Sequence, residues 1–126
     1  MAIFRLAQIE LELGKRADAG AKFADCAHRF AALSAADPGD AWTGRMAMVA
    51  VYFVGWVHHE QGHDASLPLE RRREHLRGAC AEFERSLELH AELDRLGILQ
   101  PGDEEEALAV RSKLDSCSEL LKELGG

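Results

Sequence analysis

The sequence predicts an all-α protein, a single domain of five antiparallel helices. Apolar residues recur at three- and four-residue spacing along almost all of the 126 residues, which is the spacing of one helix face. No stretch alternates Val, Ile or Thr with polar residues, so strands have little support. The three prolines lie at boundaries between the periodic segments. Because the connections are short, we expect each helix to run antiparallel to the next.

The first two predicted helices form a hairpin over residues 1–36. The first covers residues 2–13 and stops at Gly14, since glycine tolerates the geometry of a helix end. The second covers residues 16–36 and ends before the Asp37-Pro38-Gly39 segment. Its apolar stripe consists of Ala19, Phe23, Cys26, Phe30 and Leu33.

The third predicted helix is the centre of the fold. Asp40 is its expected N-cap, because its carboxylate can accept the exposed backbone N–H groups of the first turn. The helix continues to about Gln61, and Met46–Val57 is apolar all round, which predicts cover on several sides. After a loop over residues 62–66, the fourth predicted helix spans residues 67–96. Residues 40–96 therefore form a second hairpin with an inserted turn.

The last predicted helix, residues 103–124, caps this array. Asp103 and Glu106 have the spacing of a capping box at its start. Its clean apolar stripe consists of Ala107, Val110, Leu114, Cys117, Leu121 and Leu124. Gly97 followed by Ile98 predicts a glycine C-cap at the end of the preceding helix.

Composition and charge exclude several classes of function. The formal net charge of −7 disfavours binding to nucleic acid or to an anionic membrane. The longest apolar run, Met46–Val57, has 12 residues, too few for a bilayer that needs about 20. Cys26, Cys80 and Cys117 are far apart, which indicates reduced thiols rather than a disulfide framework or a thiolate zinc site. With no signal-peptide pattern at the N-terminus, we expect a cytoplasmic protein.

Two segments carry a signature that resembles the tetratricopeptide repeat. Ala19-x-x-x-Phe23 follows Gly14, and Ala79-x-x-x-Phe83 follows a helix that contains Val54-Gly55. Departures from the family pattern include an insertion of about 12 residues in the second turn. The resemblance implies stacked helical hairpins over about residues 1–96, with the last helix as a cap.

Aromatic and polar side chains form a second stripe on the third predicted helix. Tyr52, Trp56, His59 and His63 recur at spacings of four, three and four residues. The resemblance implies a groove in which these helices bind a peptide or protein segment without catalysis or cofactor. The implied groove residues are Tyr52, Trp56 and His59 with Phe4, Gln8 and Glu12. With fewer than three repeats, a homodimer would cover the apolar ends, and the alternative places Tyr52 and Trp56 in the core or in such a contact.

One motif points to a different class of function, a zinc-dependent hydrolase. His59-Glu60-Gln61-Gly62-His63 resembles the zincin signature, in which two histidines of one helix face bind zinc and the glutamate is the general base. A third protein ligand is needed. The candidates for it are Glu74, His75, Glu82 and Glu84. Gly62 and the polar residues after it predict that the helix ends inside the motif, which would take His63 off the face of His59. Histidines at the negative end of a helix are the other interpretation.

The only basic cluster in the sequence is at the start of the fourth predicted helix. It consists of Arg71, Arg72, Arg73 and Arg77. We interpret it as a solvated face that pairs with Glu70 and Glu74, and a contact to phosphate or to an acidic partner is the alternative.

Overall fold

Four α-helices follow one another in a computed structural model of the protein, which describes residues 16–126. They are α1 (Arg16–Ala36), α2 (Ala41–Gly62), α3 (Leu69–Arg95) and α4 (Asp103–Glu123). These bounds agree within two residues with the second to fifth helices predicted from the sequence. Within this part of the chain there is no strand, so the all-α class is confirmed.

The prediction of an array of five helices is wrong, because the described residues 16–126 form four helices. The predicted first helix, residues 2–13, lies outside the described residues. The last helix is also more than a cap on the second hairpin. It packs along α3, and an ion pair between Arg45 and Asp103 ties it to α2 as well. Helices α2, α3 and α4 therefore meet around a shared space. The division of the chain into hairpins stays a prediction.

Helices α1 and α2 run antiparallel and are joined by aromatic contacts. Phe23 stacks on Phe53 with ring centroids 4.9 Å apart, and Phe30 meets the edge of Trp42 at 5.6 Å. Moving forward along α1 therefore means moving backward along α2. Both α1 phenylalanines are buried, so their apolar surface is removed from water.

Helices α2 and α3 are also antiparallel, and they approach closely at Gly55. The buried ring of Phe83 packs where a side chain at residue 55 would begin. A Cβ there would lie 2.8 Å from two ring carbons. Further along the pair, the Ser86 hydroxyl donates a hydrogen bond of 3.1 Å to the backbone oxygen of Met48. A glycine at residue 55 is thus needed for the observed spacing of the two helices.

The core formed by residues 16–126 consists of three clusters, and α2 contributes to each of them. One lies between α3 and α4, with Tyr52 of α2 packed against it. The other two lie between α1 and α2. Helix α2 packs against both α1 and α3, and its buried residues lie on the faces toward these two helices. No helix within residues 16–126 has the length and apolarity to cross a membrane.

Local sequence signals set several helix ends. The Asp40 carboxylate accepts hydrogen bonds from the backbone N–H and the hydroxyl of Thr43, as an N-cap does. At the end of α3, Gly97 has a φ of 72°, and the N–H of Ile98 donates to the oxygen of Leu93. Glycine adopts this left-handed conformation without a steric cost, so both predicted caps are confirmed.

Two residues of the basic cluster bind the C-terminal ends of the neighbouring helices. Arg72 Nε donates to the Gly62 oxygen at 2.9 Å, and Arg73 Nε donates to the Leu124 oxygen at 2.7 Å. Each guanidinium group thus places a positive charge at the negative end of a helix dipole, Arg72 at α2 and Arg73 at α4. Glu70 pairs with Arg73 and Arg77, and Glu74 pairs with Arg71, as predicted.

Candidate functional site

The shared space between α2, α3 and α4 is a half-open groove, hereafter the central groove. Its volume is about 260 Å³. Helix α2 lines it with Met48, Val49, Tyr52 and Phe53. Helix α3 lines it with Ser86, Leu87 and His90, and α4 with Glu106, Ala107, Ala109 and Val110. Pockets that enclose small-molecule ligands typically measure about 300–1,000 Å³, so this groove is suited to a few side chains rather than to a whole cofactor.

Polar groups in the central groove are few. The Ser86 hydroxyl already donates to the backbone of α2. His90 Nε2 is buried and has no hydrogen-bond partner among residues 16–126. A buried polar atom without a partner costs free energy, so His90 offers a bound group a hydrogen bond that the described residues do not supply. The Tyr52 side chain is half-buried, and burial raises the pKa of its hydroxyl, which therefore stays protonated near neutral pH.

Helix α4 contributes one acidic side chain, Glu106, to the lining of the central groove. Glu104, Glu105 and Glu106 occupy the first turn of α4 and are exposed. None of the three forms an ion pair within the described part of the chain. Glu106 therefore leaves a negative charge within the lining, and this charge favours a cationic neighbour.

The capping box predicted at the start of α4 does not form. The Asp103 carboxylate is fully buried, and one of its oxygens accepts hydrogen bonds from Arg45 Nε at 3.1 Å and from Arg45 Nη2 at 2.8 Å. Its other oxygen accepts the backbone N–H of Gln100 at 2.8 Å. A buried carboxylate needs such partners, so Asp103 fixes α4 against α2 one turn beyond the lining residues Val49 and Glu106.

The structure separates the predicted aromatic stripe of α2. Tyr52 and His59 both lie near Phe83 of α3, at ring-centroid distances of 5.7 and 6.2 Å. Trp56 instead packs with Phe53 against the cluster of α1 and α2. Of these predicted binding residues, only Tyr52 lines the central groove. Phe4, Gln8 and Glu12 lie outside the described residues.

The motif His59-Glu60-Gln61-Gly62-His63 keeps its two histidines together. Helix α2 ends at Gly62, but His63 retains a helical conformation and its N–H donates to the backbone oxygen of His59. The two Nε2 atoms are 3.2 Å apart. The prediction that His63 leaves the face of His59 is therefore wrong, because one further residue of helical backbone follows the last assigned turn.

A third zinc ligand does not join this pair. His75 pairs instead with His58, with their Nδ1 atoms 3.0 Å apart. Within residues 16–126, no group of three or more His, Cys, Asp or Glu side chains could hold a metal ion. A hydrolytic zinc site needs three protein ligands and an open position. The hydrolase thus stays a prediction without the ligand set that it needs.

Burial sets the protonation of these histidines. Desolvation, and then the neighbouring His75, lower the pKa of His58. Desolvation, followed by His63 and by Lys113 of α4, lowers the pKa of His59. Both imidazoles are therefore neutral near pH 7 and present a lone pair on one ring nitrogen.

No family model, no curated protein and no solved structure matches the chain. The resemblance to tetratricopeptide repeats therefore stays a prediction. Both Ala-x-x-x-Phe pairs that suggested it are fully buried against α2.

Sequence reasoning missed the α3 and α4 sides of the central groove. Leu87, Ala107 and Val110 follow the spacing of core residues, and they are partly or wholly buried. Nothing local distinguishes a position that packs on a neighbouring helix from one that lines a gap between three helices. The one available signal was the acidic run at residues 103–106, which includes the lining residue Glu106.

Proposed function

We propose that the protein is a non-catalytic interaction module that binds a segment of a protein partner in the central groove. The segment presents one or two large apolar side chains next to Lys or Arg. The observation that carries this proposal is the apolar lining from α2, α3 and α4, which is open to solvent and includes the exposed carboxylate of Glu106.

Three features support a protein segment as the ligand. The groove volume accommodates side chains of the size of Leu or Phe. Aromatic lining residues such as Tyr52 and Phe53 supply a large contact area at a small entropic cost. Glu104, Glu105 and Glu106, in a chain of net charge −7, favour a basic flank on the ligand.

The test uses a display library of short random peptides, selected on the immobilised protein and then measured by titration calorimetry. We expect the selected peptides to combine large apolar residues with Lys or Arg. Ala109→Arg adds bulk and positive charge to the groove wall at an exposed lining position, and should weaken their binding by about tenfold or more. Ala81→Arg is the matched control, since Ala81 is exposed on α3 and does not line the groove. It should change the affinity by less than about twofold.

The charge component has its own test. Glu106→Gln should weaken binding of the basic peptides and reduce the dependence of their affinity on salt. Three results would contradict the proposal: peptides without basic residues, equal binding by the Ala109→Arg and Ala81→Arg variants, or a homodimer that Ala109→Arg dissociates. The last result would identify a second copy of the chain as the occupant.

A further inference from the structure

The strongest unassigned cluster is the pair of histidines at the C-terminal end of α2. His59 is 5% exposed and His63 is exposed, so one ligand is fixed in the protein and the other faces solvent. Their Nε2 atoms face each other at 3.2 Å. The remaining ring nitrogen of His59, Nδ1, is buried and has no hydrogen-bond partner among the described residues. Packing against Phe83 helps to hold the buried ring in this orientation.

We propose that His59 Nε2 and His63 Nε2 bind one divalent transition-metal ion, of the class of Zn²⁺, Ni²⁺ and Cu²⁺. Two nitrogens at about 2.0–2.1 Å from one tetrahedral ion lie about 3.3 Å apart, which agrees with the observed separation. Imidazole is a ligand preferred by these ions, whereas Mg²⁺ and Ca²⁺ prefer oxygen. The site is independent of the central groove and of the partner proposed for it.

The surroundings of the pair set the character of the site. Because the described residues supply no third side chain, water completes the coordination. Lys113 of α4 faces His59, and its positive charge opposes a cation, while the charge of Glu60 favours one. An open site with two protein ligands and one opposing charge binds its ion more weakly than a closed structural zinc site does. The backbone hydrogen bond from His63 to His59 preserves the one-turn spacing that chelation requires.

Titration calorimetry of the metal-free protein with zinc chloride tests this proposal. We expect one Zn²⁺ per chain, binding by Ni²⁺ and tighter binding by Cu²⁺, and no competition from an excess of Mg²⁺. His63→Gln should weaken Zn²⁺ binding by about tenfold or more, because it removes one of two ligands. His63 is exposed, so this variant should fold normally. His28→Gln on α1 is the matched control, an exposed histidine that should leave binding unchanged.

A second measurement identifies the ligands directly. Paramagnetic Ni²⁺ should broaden the ring-proton signals of His59 and His63 before that of His28. The proposal is overturned if Zn²⁺ does not bind, since the short Nε2 separation would then be only a hydrogen bond between neutral imidazoles. Zn²⁺ binding that survives His63→Gln would also overturn it. So would binding that is lost with His75→Gln but not with His63→Gln, because the ion would then lie at the His58–His75 pair.

Discussion

The close approach of α2 and α3 at Gly55 predicts how Gly55→Ala changes the free energy of unfolding. The contact with Phe83 decides whether the variant is less or more stable. In Gly55→Ala the new Cβ would lie 2.8 Å from two carbons of the Phe83 ring and 3.2 Å from the Cβ of Glu82. Phe83 is fully buried, so the ring has little room to move. Such overpacking costs about 1–3 kcal/mol. Replacing glycine by alanine inside a helix returns about 1 kcal/mol. The net expectation is a destabilisation of about 1 kcal/mol.

The contact is isolated by repeating the substitution without the ring. Phe83→Val lacks every ring atom that the new Cβ would meet, and alone it should cost on the order of 2–3 kcal/mol. In that background Gly55→Ala should stabilise the protein by up to about 1 kcal/mol, since the helix propensity remains and only the 3.2 Å contact with the Cβ of Glu82 opposes it. The coupling energy between the two sites is then about 1–3 kcal/mol.

Urea unfolding followed by circular dichroism measures each free energy of unfolding. At a typical dependence of about 2 kcal/mol per molar urea, the Gly55→Ala midpoint should fall by about 0.5 M. Gly20→Ala in α1 is the matched control, because its Cβ would meet only one side chain, Val57, and at the longer distance of 3.3 Å. It should leave stability unchanged or raise it slightly. Additive effects of Gly55→Ala and Phe83→Val would refute the packing of α2 on α3 described above.

Two further predictions concern buried charge. Arg45→Met leaves the buried Asp103 carboxylate without its cation and should lower the free energy of unfolding by about 2 kcal/mol or more. Arg95→Met, at the exposed Glu92 pair, is the control and should cost less than about 0.5 kcal/mol. Equal urea midpoints for the two variants would show that the ion pair between α2 and α4 contributes nothing. Burial raises the pKa of Glu82, so its ionised form destabilises the fold. This loss in the free energy of unfolding is absent below the ordinary carboxyl pKa and grows as the pH rises through the raised pKa. Glu82→Gln should therefore be stabilising at pH 7 and neutral near pH 4 in thermal unfolding, and a gain that is the same at both pH values would show that ionisation of Glu82 is not its source.

Features set by neighbouring residues could be predicted from the sequence. The bounds of α1 to α4, the Asp40 cap and the Gly97 turn all follow from local chemistry. The full burial of Asp103 could not be predicted, because its partner Arg45 is 58 residues away in the chain. Local rules assigned the carboxylate to the nearest backbone N–H groups, and a long-range ion pair replaced them.

The candidate site was predictable only in part. The all-apolar segment Met46–Val57 indicated that α2 is central, and Tyr52, one of the predicted groove residues, lines the central groove. Trp56 is four residues away and packs toward α1, since a helix covered on two sides divides any stripe between its neighbours. The central groove depends on how α2, α3 and α4 diverge from one another. The spacing of residues within one helix gives no information about that divergence.

The central claim, that the protein acts by binding a basic, apolar segment in the central groove, is tested most directly by methyl NMR. A peptide from the display selection is titrated into the protein with its methyl groups labelled. We expect shifts concentrated on the methyl groups of Val49, Leu87 and Val110, with Leu33 of α1 unchanged as the exposed reference. Shifts centred on Leu33 and the rest of α1, with the groove methyl groups unchanged, would contradict it.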